Sequence, residues 1–246
     1  MGCTLPNRTF LAELVSDIID EIRERADIIS IIDNGDGTAL INTTNTGTVD
    51  VDGAYTPYIT IDGNDYQVIA VDTNVSFTIR YTGALPSGSE WVSASPYFYY
   101  GNPIQMSNEI DKKANNDNVK YPAIIMFESG NSSQPFGETS PIETIESLEL
   151  YFMDVANYED WAIDDFYSKV INKMYQLSID FTNACEVFPH IDLLTGSGTR
   201  QRISKWGVEV VRNGAGSGDM IFNDNLSGIQ LLFDLPISKS LNNECC

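Results

Sequence analysis

The chain predicts an α+β fold, a mostly antiparallel sheet covered by one long helix, with an N-terminal helix and a β-rich insertion. Three observations predict it. Segments such as YITIDG, VSFTIRYT and GIQLLFDLPI alternate apolar and polar residues, the period of two that half-buried strands need, between Gly, Asn and Asp turns. Long helical spacing of apolar residues occurs in FLAELVSDIIDEIRER and in the stretch from Asn157 to about Glu186. The C-terminal half runs strand, strand, helix, strand, strand, which lays one helix over a sheet. At 246 residues and 42% hydrophobic content, the chain suffices for one large domain or two small ones.

In chain order, Phe10, Leu11, Leu14, Val15, Ile18, Ile19 and Ile22 fall on one face of a helix ending near Ala26, with Pro6 and Asn7 as start signals. Two short strands around Asp33-Asn-Gly-Asp-Gly37 follow as a hairpin. A calcium loop beginning at Asp33 is the alternative, but Gly35 and Gly37 stand where it requires oxygen side chains. These elements make a first segment, 1–45. Residues 46–101 read as an acidic β-rich subdomain: YITIDG, DYQVIAV, VSFTIRYT and WVSASPYFYY. Residues 102–246 read as the α+β domain. Its elements are a short helix over 104–115, a strand after Pro122 with apolar residues on both faces, and the strand TIESLELYFMDV. A helix from Asn157 to about Glu186 follows, with Trp161, Phe166, Val170, Leu177, Phe181 and Cys185 on its buried stripe. Asn157 and Asp160 form a capping pair. RISKWGVEVVRNG and GIQLLFDLPI close the sheet. The last has one fully apolar face (Ile229, Leu231, Phe233, Leu235, Ile237) and one mixed face.

Charge narrows the function. Fourteen Lys and Arg against 35 Asp and Glu leave a net charge of −21, so most of the surface repels nucleic acid. Between Asp27 and Asp111 stand eleven carboxylates and one base, Arg80, whereas Arg200, Arg202, Lys205 and Arg212 crowd four bases into thirteen residues. That basic segment reads as a solvated loop or as a salt-bridging surface for an acidic neighbour. Tyr97, Phe98, Tyr99 and Tyr100 put aromatics on both faces of a strand. This means burial, or an interface patch where the chain leaves a face uncovered. The subunit-interface residues expected on these grounds are Arg200, Arg202, Lys205, Arg212, Tyr97 and Tyr99.

Catalytic readings find little support. His190 is the single histidine, and a Cys185/His190 dyad would draw its nucleophile from the helix's apolar stripe. Asp160, Asp164 and Asp165 could serve a hydrolase, but carboxylates at a helix start need no catalysis to explain them. NGAGSGD has Asp219 where a dinucleotide loop needs glycine, and TGSGTRQR lacks the phosphate-loop lysine. The four cysteines (Cys3, Cys185, Cys245, Cys246) show no metal spacing and read as reduced thiols. No cofactor, no metal and no enzymatic activity are expected. No membrane association is expected either, since no run spans a bilayer, the N-terminus lacks a signal core, and Pro6 breaks the myristoylation pattern.

YFYYGNPIQMSNEI, KYPAIIMFESG, SLELYFMD with NYEDWAIDDFYSKV, and FNDNLSGIQLLFDLPI close to Cys245-Cys246 together resemble virion neck and tail proteins of tailed bacteriophages, especially the crAss-like group. The resemblance covers roughly residues 97–246. The strand and helix order is also similar to tail-terminator and tail-completion proteins. The segment from Thr46 to Tyr100 departs from a compact terminator fold. The resemblance implies a non-enzymatic structural protein, located in the virion and assembled in the host cytoplasm. It would form a homo-oligomeric ring of 12 or 6 copies between neck and tail components such as a portal or adjacent ring protein, and pass DNA without specific binding. A β-rich adhesin or carbohydrate-binding module, resting on residues 46–100 with Trp91 and Tyr97, is the alternative.

Overall fold

The computed structural model describes residues 8–47, 49, 51, 57–102, 106, 121–127, 131–133, 142–156, 161–188, 191, 198–206, 211–212, 218–219 and 226–238. The chain divides into two compact units, one of residues 23–97 and 112–121, the other of 1–22, 98–111 and 122–246.

The first unit is a closed antiparallel barrel. Its strands are β1 (Arg25–Asp33), β2 (Thr38–Thr43), β3 (Tyr58–Ile61), β4 (Asn64–Asp72), β5 (Ser76–Arg80) and β6 (Glu90–Ser93), in the order β1-β2-β5-β4-β3-β6. The β1–β2 turn is held by its own carboxylates: Asp33 accepts from the Gly35 N–H and the Tyr81 hydroxyl, and Asp36 accepts from the N–H and hydroxyl of Thr38. β3 and β4 are joined by Asp62 and Gly63 alone, both at positive φ (49° and 74°), the backbone a two-residue hairpin demands. Alternation sends Ala39, Ile41, Ile59, Ile61, Val68, Phe77, Ile79 and Trp91 inward. The Trp91 ring meets Phe77 edge-on at 4.9 Å, and its indole N–H donates to Thr43 Oγ1 at 2.8 Å, so the largest core side chain is buried with its polar atom bonded.

The second unit pairs a sheet with helices. It contains α1 (Arg8–Ile22), β7 (Tyr97–Gly101), β8 (Ala123–Phe127), β9 (Asn131–Ser133) and β10 (Ile142–Val155). A continuous helix follows as α2 (Ile163–Phe166), a π-helical turn (Tyr167–Ile171) and α3 (Asn172–Val187). β11 (Gly198–Trp206), the short pair β12 (Val211–Arg212) and β13 (Gly218–Asp219), and β14 (Leu226–Ser238) complete it. The sheet order is β11-β14-β10-β8-β7, with β9 also on β10. β10 and β14 pair along nearly their whole length, Leu150 opposite Leu231 and Phe152 opposite Ile229. One face carries Ile124, Met126, Leu148, Leu150, Phe152 and the alternate residues of β14 from Ile229 to Ile237. Leu14, Val15, Ile18 and Ile19 of α1 and Val170, Ile171, Met174, Phe181 and Cys185 of the long helix pack into the same core.

This architecture corrects the predicted class. The fold is mostly β, a closed six-stranded antiparallel barrel plus a second sheet, and that sheet is not covered by one long helix, because α1 shares the core with the C-terminal helix. The expected α+β reading grouped the 27–43 hairpin with α1, whereas β1 and β2 are barrel strands and Ala26 pairs with Trp91 to help close it. Closure is invisible to periodicity, since each strand shows only that one face is buried, not which distant strand completes the ring. α1 ends at Ile22 rather than near Ala26 for the same reason. The long helix starts at Ile163, after Ala162 in extended geometry, instead of at Asn157. The capping pair Asn157/Asp160 lies outside the described residues, as does all but Met106 of the helix expected over 104–115.

Candidate functional site

β11 is the end strand of its sheet, and it carries the basic residues expected at a subunit interface. Pairing of Arg200 with Leu231 and Arg202 with Ile229 turns both arginines toward the helix-bearing face. Arg200 donates from Nε to Ser178 Oγ at 3.0 Å, and from Nη2 to the Ser178 carbonyl at 3.1 Å and Thr182 Oγ1 at 2.8 Å. Ser178 is fully buried, so this half-buried guanidinium ties the edge strand to α3 within one chain. Arg202 remains exposed. Its guanidinium lies 5.1 Å from the Tyr167 ring centroid and donates to the Tyr167 hydroxyl. Lys205 stands on β11 and Arg212 on β12. The two groups of expected interface residues therefore differ: Arg202 faces solvent, while Arg200 is chiefly a clamp.

The aromatic residues divide likewise. Tyr99 is buried in β7 and belongs to the molecule's own packing, while Tyr97, at the start of β7, is half-buried. Trp91, on which a glycan-binding reading leans, is a barrel-core residue with 1% exposure.

The helix beside Arg202 exposes aromatic and cationic side chains on its two flanks, Tyr167 and Tyr175 on one and Lys169 and Lys173 on the other, which sequence reasoning missed. The π-helical turn widens one turn by a residue and shifts the buried stripe, so Val170 and Ile171 are both buried and Tyr167 is left exposed. Lys169 sits 5.1 Å over the Trp161 ring, Lys173 and Tyr175 are exposed one turn further on, and Ile163 is exposed one turn earlier. No carboxylate occurs between Tyr167 and Ile179.

The mixed face of β10 and β14 holds a polar network. The Tyr151 hydroxyl and Gln230 Nε2 both donate to Glu149 Oε1, each at 2.5 Å, and Ser147 donates to Asp234 at 2.8 Å. Burial, followed by donation to the Glu149 carboxylate, pushes the Tyr151 phenol above its ordinary range. Beside it Leu232 is exposed.

The groups considered for catalysis have structural surroundings. Cys185 is fully buried, and burial pushes its thiol up to about 12, far from a nucleophilic thiolate at neutral pH. His190, Asp160 and the cysteines at 3, 245 and 246 lie outside the described residues, as do residues 195–197 and 213–217 of the two glycine-rich stretches, whose remaining residues fall in strands β11 and β13. Asp164 and Asp165 occupy the first turn of α2. Asp33 and Asp36 lie below the ordinary carboxylate range, Asp33 mainly through the Gly35 N–H and Asp36 mainly through the Thr38 hydroxyl. Among the described residues, no three His, Cys, Asp or Glu side chains gather as a metal site, and no helix is long and apolar enough to cross a membrane. No family model, curated protein or solved structure matches the chain.

Proposed function

We propose that this chain is a structural protein of a tailed-phage virion, forming a homo-oligomeric ring in the neck or tail that joins neighbouring components around the DNA channel. The observation that carries the reading is the placement of charge. Among the described residues, the barrel exposes seven carboxylates (Asp27, Asp33, Asp36, Asp62, Asp65, Asp72, Glu90) against two exposed arginines, Arg25 and Arg80, in a chain of net charge −21. A ring lined with carboxylates lets a phosphate backbone slide, where a cationic lumen would hold it. Such a ring coheres through local basic groups, and the second unit exposes Lys169 and Lys173 on one flank of the long helix and Arg202 beside Tyr167 on the other. The resemblance of residues 97–246 to phage neck and tail proteins supports the same reading.

Light scattering on the purified chain, alone and with neck proteins of the same virion, tests it. The expected species is a closed ring of six or twelve 27.3 kDa copies, about 164 or about 328 kDa. A strict monomer under both conditions would sink the reading.

A further inference from the structure

We infer that β11 is an acceptor edge, onto which a partner protein adds an acidic extended segment as a further strand of the second unit's sheet. The inference does not depend on the ring reading above. β11 ends the sheet order and pairs only with β14 among the described residues, so one rim of its backbone is open. From Gly198 to Ile203 the register with β14 runs without a shift, and the irregularity begins only between Ile203 and Trp206. Six regular residues span about 20 Å, enough to template a strand. No proline interrupts them.

Sheet edges are commonly guarded by an inward charge that an added strand would bury without a partner. Here Arg200 is that charge, and its three hydrogen bonds to Ser178 and Thr182 already satisfy it. The same bonds hold β11 against α3, so the edge is ordered before anything binds. Arg202, on the same face, differs. It is exposed, and among the described residues its guanidinium meets the Tyr167 ring and hydroxyl, with no ion pair to Asp164 one turn earlier on the helix.

Charge selects the occupant. An added strand sets side chains opposite and diagonal to Arg202, where a carboxylate is favoured and a base is not. β11 itself has no carboxylate from Gly198 to Trp206. The end strands of this sheet give a second copy no such segment: β7 reads YFYYG without a carboxylate, and β11 against β11 sets arginine beside arginine. The barrel, being closed, offers no edge. The occupant is therefore a carboxylate-bearing segment of another protein, held by main-chain hydrogen bonds and read by Arg202.

The test titrates the full-length chain, by fluorescence anisotropy, with three labelled nine-residue peptides. One alternates valine with threonine and glutamate, the second has lysine in place of glutamate, and the third is the glutamate peptide N-methylated at every residue. The net charge of −21 favours the lysine peptide at long range, so a preference for glutamate requires a local site. The glutamate peptide should bind about tenfold tighter than the lysine peptide, and Arg202→Glu should reverse that order. The N-methylated peptide should not bind, and hydrogen exchange should slow within residues 198–203 when the glutamate peptide does. Arg202→Glu leaves the Arg200 clamp in place, and an unchanged circular dichroism spectrum shows the fold kept. A wild type that prefers the lysine peptide, binds the N-methylated peptide equally or fails to bind the glutamate peptide overturns the inference. So does a wild-type oligomer that Arg202→Glu dissociates with no partner present, because the edge would then hold a second copy. A monomeric wild type overturns the ring reading alone, and the titration still decides this one.

Discussion

Asp154 is the penultimate residue of β10, where burial pushes its carboxyl up to about 6 against two opposing influences, the Val155 N–H donating to it at 2.7 Å and the charge of Lys173. The unfolded chain ionises this group near its ordinary value of 3.8. Between those two pH values the native state holds the extra proton, so Asp154 favours folding fully below pH 3.8 and loses that contribution as pH rises through 6. Asp154→Asn keeps an acceptor for Val155 and removes the titration. Its stability relative to the wild type should rise from near equality at pH 4 to a gain of about 2–3 kcal/mol at pH 8, read by denaturant melts. A gain independent of pH would show that ionisation is not the cause. Cys185 was open to reading as a reactive residue from type alone, and Asp154 gave no signal of its shift. A sequence does not show the burial that silences the first and shifts the second.

At the scale of elements, strands were the most legible. The two-faced apolar run after Pro122 is β8, an interior strand of the sheet with Ala123 to Met126 all buried, and GIQLLFDLPI lies within β14 with its apolar face in the core. Gly228 within β14 has a reason that periodicity could not supply. A β-carbon there would stand 1.8 Å from the Phe152 carbonyl oxygen and 3.1 Å from the Met153 α-carbon, both backbone atoms of the partner strand. Gly228→Ala must therefore part β10 from β14, and a loss of roughly 3 kcal/mol or more is expected in thermal or denaturant melts. A variant as stable as the wild type would mean that the strands separate at little cost. The long helix was legible in extent at its C-terminal end but not in register. The inserted π turn buries Ile171 and Met174 alongside the expected Val170, Phe181 and Cys185, and leaves Leu177 only partly buried.

At the scale of the molecule, charge carries the functional argument and makes a direct prediction. In a gel-shift titration at about 100 mM salt, double-stranded DNA should migrate unretarded with micromolar protein, since non-specific binding is driven by cation release from phosphates and this surface is overwhelmingly anionic. Retardation that weakens with added salt would place a cationic groove on the chain and count against a channel that DNA slides through. Of the residues expected at an interface, Arg202 is exposed beside the long helix, whereas Arg200 is bound by Ser178 and Thr182 and Tyr99 is buried.

What the sequence determined by itself was local or compositional: the amphipathic α1, the turns at Asp33–Gly37 and Asp62-Gly63, the period-two strands, and a net charge of −21. These follow from side-chain spacing and backbone chemistry within a few residues. Tertiary structure alone decided that Ala26 meets Trp91 to help close a barrel, that α1 joins the long helix over one sheet, and that Arg200 turns inward while Tyr167 and Arg202 face out. Each of those outcomes depends on pairing between segments tens of residues apart. Which partners a buried face finds is set by the packing of the whole chain, a quantity that no local pattern encodes.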